Sequence, residues 1–136
     1  MIMQYVAGFL KTPSGVVFVR KKKPVWQKGK LNGVGGKVED GEHPEDAMKR
    51  EWKEETGHDF SDWNLFCELN GADFSVYFYK GQLAEDISLP DENDSGEPLY
   101  YIKVEDVQNH PRISNIDWLL ALAFTDSDNP MAYVRV

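Results

Sequence analysis

The chain has 136 residues, of which 41% are hydrophobic and 28% charged, enough for one globular domain with a proper core. Its formal charge of -8 and its single cysteine, Cys67, argue against a nucleic-acid binder that works through a basic face and rule out an internal disulfide framework. No apolar run nears the roughly 18 residues of a membrane span, and Met1-Ile2-Met3-Gln4-Tyr5 lacks the basic and apolar regions of a signal peptide.

In chain order, Tyr5 to Leu10 and Val16 to Arg20 predict two strands, and Thr12-Pro13-Ser14-Gly15 predicts the turn of a hairpin between them. The basic cluster Arg20-Lys21-Lys22-Lys23, followed by Lys28 and Lys30, reads either as a solvated strand end or as an attractor of a small anion. Lys28 to Gly41 holds five glycines and predicts an irregular, functional loop. Pro44 to Thr56 predicts a helix, since Pro44 suits its first position and Gly57 its end, although His43 is a poor N-cap. Strands follow at Trp63 to Leu69, Phe74 to Lys80 and Leu99 to Val104, with a polar loop from Pro90 to Pro98. Ser114 to Thr125 predicts a second helix, with Ile116, Leu119, Leu120, Ala123 and Phe124 on one face, and Ala132 to Val136 a last strand. Strands and helices interspersed in this order predict one domain over residues 1–136, a mixed α/β or α+β sandwich.

The first helix carries the chemistry. Part of its charge is an ordinary ladder: Glu45 with Lys49, Asp46 with Arg50 and Arg50 with Glu54 are each four residues apart. Glu51 and Glu55 fall outside it. Their neighbours three and four residues away include no cation, and they face each other as like charges. On a helical wheel Glu51, Glu54 and Glu55 lie together beside Ala47, Met48 and Trp52, which predict the buried face, while Lys49 and Lys53 lie opposite. Carboxylates crowded at the edge of a core need a cation, and a hard divalent ion with oxygen ligands fits. Gly33-Val34-Gly35-Gly36-Lys37 just upstream lets backbone approach a ligand closely, with Lys37 available to phosphate. Such an ion also lets an acidic protein handle phosphates.

These residues resemble the signature of the Nudix hydrolase family. That signature runs Gly, five residues, Glu, seven residues, Arg-Glu, an apolar residue, any residue, Glu-Glu, any residue, Gly, an apolar residue. Here it is Gly36, Glu42, Arg50-Glu51, Trp52, Lys53, Glu54-Glu55, Thr56, Gly57 and His58. His58 stands where an aliphatic is usual, and Trp52 is bulky for its slot; both are packing positions.

The resemblance implies an α/β/α sandwich with a mixed sheet between helices. It implies Mg²⁺, or Mn²⁺ in its place, held by Glu51, Glu54, Glu55 and the carbonyl of Gly35, with Arg50 orienting Glu51 and Glu42 shaping the loop. The reaction implied is hydrolysis of a nucleoside diphosphate linked to a moiety X. Gly33 to Glu42 looks most like triphosphate pyrophosphohydrolases of the MutT type, including those acting on oxidised purine nucleotides; ADP-ribose, a nucleotide sugar or binding without cleavage are the alternatives. Catalytic roles fall to Glu54, Arg50 and Lys37, and substrate contacts to Arg20, Lys37 and Asn115. Asn115 reads equally as a helix cap, and Trp26, Tyr77 and Tyr79 are candidate stacking aromatics. The general base is either a box glutamate or one of Asp91, Glu92, Asp94 and Glu97. The expected partner is a small nucleotide, with no stable nucleic-acid binding and no membrane, for a cytoplasmic monomer or homodimer.

Overall fold

A computed structural model describes residues 2–125 and 131–136. The predicted hairpin is formed by β1 (Met3–Thr12) and β2 (Gly15–Arg20), which pair antiparallel with Thr12 opposite Gly15. Gly15 closes the turn at φ 130°, a left-handed conformation that glycine takes without strain. Asp86 ties the turn down, accepting hydrogen bonds from the Thr12 hydroxyl at 2.7 Å and the Ser14 amide at 2.9 Å.

The glycine-rich stretch is more regular than its composition predicts. It forms β3 (Leu31–Asn32) and β4 (Val34–Lys37), and β4 lies antiparallel on β1 with Gly35 opposite Ala7 and Gly36 opposite Val6. Glycine is usually depleted in strands, so this composition reads as loop; here close backbone approach demands it. A Cβ on Gly35 would overlap the Val6 carbonyl oxygen.

The first helix, α1 (Pro44–Thr56), has the predicted ends. Pro44 starts it, Glu45 and Asp46 favour the positive N-terminal dipole, and Gly57 ends it at φ 78°, with its N–H donating to the Lys53 carbonyl at 2.9 Å. Next come β5 (Asn64–Asn70), β6 (Phe74–Gln82), β7 (Leu99–Ile102), α2 (Ile116–Phe124) and β8 (Ala132–Arg135). The predicted third late strand stops at Ile102, and a 3-10 turn at Val104–Asn109 follows it.

The strands form one mixed sheet in the order β3-β2-β1-β6-β5-β8, with β4 added to β1 and β7 to β2. β1 runs parallel to β6, and β5 parallel to β8. Both faces are covered. Phe9, Phe18 and Phe78 pack with Ile116 and Leu119 of α2 on one side. Leu10, Val17 and Val19 pack with Met48 and Trp52 of α1 on the other. Successive residues of β2 therefore point alternately to two buried faces, which is why Val16 to Val19 reads as a continuous apolar run. Trp52 is fully buried and meets Trp63 edge-on at 5.4 Å between ring centres, so its bulk fills space between α1 and β5's approach. Gly8 of β1 gives Met48 room: a Cβ there would stand 2.6 Å from its methyl carbon. This tight seat fixes α1, and with it the carboxylates, against β1 and β4. No helix among the described residues is long and apolar enough to cross a membrane.

Candidate active site

Arg50 is the hub of the site. Its Nε and Nη2 donate to the two oxygens of Glu42 at 2.9 and 3.0 Å, a paired geometry that an arginine fork makes well. Nη2 also donates to the Lys37 carbonyl at 3.0 Å, which ties α1 to the end of β4. Nη1 reaches Glu51 at 2.9 Å and Glu54 at 3.3 Å. The hydrogen bonds from Arg50 hold Glu42 below the ordinary carboxylate range, and those acids raise Arg50 further above its usual value. The helical ladder forms in part: Lys49 pairs with Glu45 at 3.7 Å and Arg50 with Glu54, while Arg50 is directed to Glu42 and Glu51. The spacing reading, which found no cation for Glu51 on its helix, is thus corrected, and the contact with Arg50 that the resemblance implies is present. Arg50, its immediate sequence neighbour, folds back over it, a contact that the three-and-four spacing rule does not cover.

Among the acids of α1, Glu51 and Glu55 are the two that burial pushes up. Desolvation pushes Glu51 up, against the pull of Arg50. Desolvation also pushes Glu55 up to about 7, with the Asn93 amide opposing and the nearby Glu51 adding to the rise. One oxygen of Glu55 accepts from Asn93 Nδ2 at 3.1 Å. The other, Oε2, is buried with no hydrogen-bond partner among the described residues. Glu54 is the most open of the three, with 57% of its side chain exposed against 15% for Glu51.

Among the described residues, no three His, Cys, Asp or Glu side chains stand as a ready metal-holding cluster. The reason is visible in the contacts: Arg50 draws Glu51 and Glu54 to itself, and Asn93 draws Glu55 the other way. The surroundings nevertheless fit a divalent cation. An orphaned buried carboxylate oxygen is costly unless something positive meets it. Gly36 presents bare backbone to Glu51, and a Cβ on it would lie 2.6 Å from the carboxylate. The donors are oxygens throughout, the set a hard ion takes.

The two glycines separate folding from function. Gly35→Ala collides with backbone and is expected to destabilise the protein by a few kcal/mol. Gly36→Ala meets only the end of a flexible side chain. It is expected to leave the melting temperature near that of the parent and to weaken Mn²⁺ binding about tenfold. Melting curves and Mn²⁺ titrations on both variants check this; equal losses of stability would refute the division.

Beside β4 opens a cavity of about 590 Å³, a volume suited to a small-molecule ligand. Gly35, Gly36, Lys37 and Asn115 line it, together with Asn32 and the exposed Trp26 at its rim. Phe74, Val76 and Phe78 supply an apolar wall. Asn115 takes the N-cap position of α2, but its side chain does not cap; its Oδ1 accepts from Trp118 Nε1 at 3.2 Å. Arg20 is not brought to the cavity. Its guanidinium donates to the Gly29 carbonyl at 2.9 Å and lies 5.4 Å from the centre of the Tyr100 ring; Lys21 lines the cavity instead. Tyr79 is buried beneath α1, away from the cavity wall.

Of the four loop acids, Asp91, Glu92 and Asp94 are exposed. Glu97 is buried, and it accepts from the Lys22 amide at 2.8 Å, from Lys21 Nζ at 3.3 Å and from Asn93 at 3.3 Å. Burial works against its charge, but these donors prevail and hold it below the ordinary range. Sequence reasoning missed Asn93 as a member of the site and named Lys21 only within the basic cluster from Arg20 to Lys23. Their contacts join segments far apart in the chain. It read His58 as a packing position, whereas the ring makes a polar contact. Its ring Nε2 donates to the Ser88 carbonyl at 2.6 Å and pins the loop after β6 to the end of α1.

The sequence profile of the NUDIX domain matches residues 1–121. Among curated proteins, none matches the chain. Solved structures do. A MutT protein from Bacillus halodurans superposes with a TM-score of 0.77 at 19% identity, covering 98% of this chain and 90% of its own. The NUDIX domain of Shewanella oneidensis NrtR, complexed with ADP ribose, has a TM-score of 0.76 at 16% identity, covering 90% of this chain and 86% of its own. An ADP-ribose pyrophosphatase from Streptococcus suis has a TM-score of 0.69 at 15% identity, covering 98% and 99%. At these identities the likeness is one of fold, and it agrees with the mixed sheet between helices described above. The profile match spans most of the chain and includes the whole Gly36 to His58 signature, so this protein belongs to the NUDIX family.

Proposed function

We propose that this protein is a pyrophosphohydrolase that uses Mg²⁺ to cleave the diphosphate linkage of a nucleotide, with a (deoxy)nucleoside triphosphate as its substrate. The observation that carries the reading is the junction of two features at β4: the Glu51 carboxylate of α1 meets Gly36, and the same strand lines the cavity. NUDIX hydrolases generally use divalent metal ions. Glu51, Glu54, Glu55 and the Gly35 carbonyl would hold the ion. Bound there, it supplies charge neutralisation at the diphosphate and a water of lowered pKa.

The chain's own residues do the rest. Arg50 fixes the direction of Glu51 and bolts α1 to Lys37 and Glu42, so the carboxylates keep their places as charge develops. Lys37 lines the cavity and brings positive charge to the phosphates. The proton of the attacking water needs a carboxylate as acceptor. Glu97 is held by donors at low basicity, whereas Glu54 shares the Arg50 guanidinium with Glu51. Glu54, open and linked to Arg50 at 3.3 Å, is the base that this arrangement favours. The apolar wall of Phe74 and Phe78, with Asn32 and Asn115 nearby, suits a nucleobase.

A panel of nucleoside triphosphates, oxidised purine triphosphates, ADP-ribose and dinucleoside polyphosphates, assayed with Mg²⁺ and scored by product, tests the reading. Triphosphates are expected to give a nucleoside monophosphate and pyrophosphate. Preferred cleavage of ADP-ribose would overturn the substrate; cleavage of nothing, with Mg²⁺ or Mn²⁺, would leave a binding module. Mg²⁺ with a tight-binding nucleotide is expected to raise stability by about 2.7 kcal/mol at a hundred times the dissociation constant. A purely structural acidic helix would give no such shift.

A further inference from the structure

We infer that Asn93 is a positioning residue: its side-chain amide holds one oxygen of Glu55 and leaves the other free for the metal ion, making the loop after β6 part of the metal site. The inference rests on the metal site proposed above. It names a residue that lies outside the signature, 38 positions along the chain from Glu55.

Asn93 uses all of its polar groups. It is buried. Its Oδ1 accepts from the Ser95 and Glu97 amides at 3.0 and 2.9 Å, the pattern of an Asx turn. Its backbone N–H donates to the Glu97 carbonyl, and its carbonyl accepts from Gly96, both at 2.9 Å. Gly96 takes φ 75° to close the turn. What remains is Nδ2, which donates to Glu55 at 3.1 Å and to Glu97 at 3.3 Å.

The orientation of the amide follows from its neighbours. Turned over, it would set NH₂ against two backbone N–H groups and its oxygen against two carboxylates, all unfavourable. The loop itself is anchored on both sides. His58 pins Ser88, and the Tyr101 hydroxyl both donates to the Ile87 carbonyl and accepts from its amide, each at 2.8 Å. Beyond Asn93, Lys21 and the Lys22 amide grip Glu97. Asn93 is therefore a neutral donor clamped between the buried Glu97 and the half-buried Glu55 by a turn that cannot easily shift.

The consequence for Glu55 is specific. Asn93 takes Oε1, and Oε2 is the buried oxygen without a partner among the described residues. Partners of this kind, which orient a metal-binding carboxylate, typically change metal affinity by about 10–100-fold when removed.

The test measures Mn²⁺ affinity by electron paramagnetic resonance on nucleotide-free protein. Asn93→Ala is expected to raise the Mn²⁺ dissociation constant about tenfold. Asn93→Ser, which keeps a side-chain acceptor for the turn but lacks the amide's reach, is expected to do the same, so a loosened loop does not decide the result. In a Glu55→Gln background, adding Asn93→Ala is expected to change the constant less than about twofold, because coupled residues are not additive. With Mg²⁺ saturating, KM for the nucleotide is expected to stay near the parent value, since Asn93 does not line the cavity. An unchanged Mn²⁺ constant in both variants, or an equal loss with and without Glu55, would overturn the inference while leaving the metal site standing. Failure of the parent protein to bind Mn²⁺ would remove the metal site and the inference together.

Discussion

Glu54→Gln is expected to lower kcat by about a thousandfold, within the range a general base contributes, while the metal-free protein melts within a few degrees of its parent. The two halves of this expectation come from different observations. Glu54 is more than half exposed, and its link to Arg50 is a surface pair four residues apart, worth about 0.3–0.5 kcal/mol. Glutamine keeps the shape of the side chain and, in the absence of metal, relieves part of the repulsion among the acids. The fold therefore has little to lose. The reaction loses both a charged metal ligand and the proton acceptor, neither of which an amide replaces. Steady-state kinetics and a thermal melt with chelator decide the matter. Turnover close to the parent's would remove Glu54 from the metal and base roles together; a collapsed melt would mean that the activity loss says nothing about chemistry.

How much of this site was legible in the sequence depends on how local each cause is. α1 was readable end to end because Pro44 and Gly57 act within one turn of themselves. β1 and β2 were legible as the strands of a hairpin, and the fold adds that both their faces are buried. The signature from Gly36 to His58 was readable as a pattern, and the structure adds why Gly36 and the Gly35 just before it stand where they do: Gly35 against Val6 backbone, Gly36 against the Glu51 carboxylate. What the sequence hid was tertiary. β4 looked like loop because its glycines answer to β1 and α1, not to local propensity. Glu51 looked unpartnered because helix-spacing rules ignore adjacent residues. Glu55 looked unpartnered because its partner is Asn93, on a loop whose position depends on contacts from Ser14, His58 and Tyr101. Arg20 looked available for phosphate because the Tyr100 ring and the Gly29 carbonyl, which occupy it, come together only in the fold.

Arg50→Ala is expected to destabilise the metal-free protein by about 2–4 kcal/mol. Arg50 faces three carboxylates at hydrogen-bond distance, Glu42, Glu51 and Glu54, with Glu39 at 3.8 Å. Removing the guanidinium strands Glu42 and Glu51, whose side chains are only 16% and 15% exposed, and takes a donor from the Lys37 carbonyl. Partly buried acids without a cation repel one another and keep the cost of their own desolvation. Arg50→Lys is expected to fall between the two, because a lysine restores the charge but not the paired contact with Glu42. The distinguishing feature is rescue. If these acids surround a divalent ion, Mg²⁺ should stabilise Arg50→Ala more than it stabilises the parent, since it replaces part of the missing positive charge. Catalysis should still fall about 10–100-fold, because the ion does not restore the direction that Arg50 gives Glu51. Melting curves of parent, Arg50→Ala and Arg50→Lys, each with chelator and with Mg²⁺, measure both effects. A parent-like melt for Arg50→Ala with chelator would show the hub to be dispensable, and equal Mg²⁺ shifts in all three proteins would separate the ion from these carboxylates.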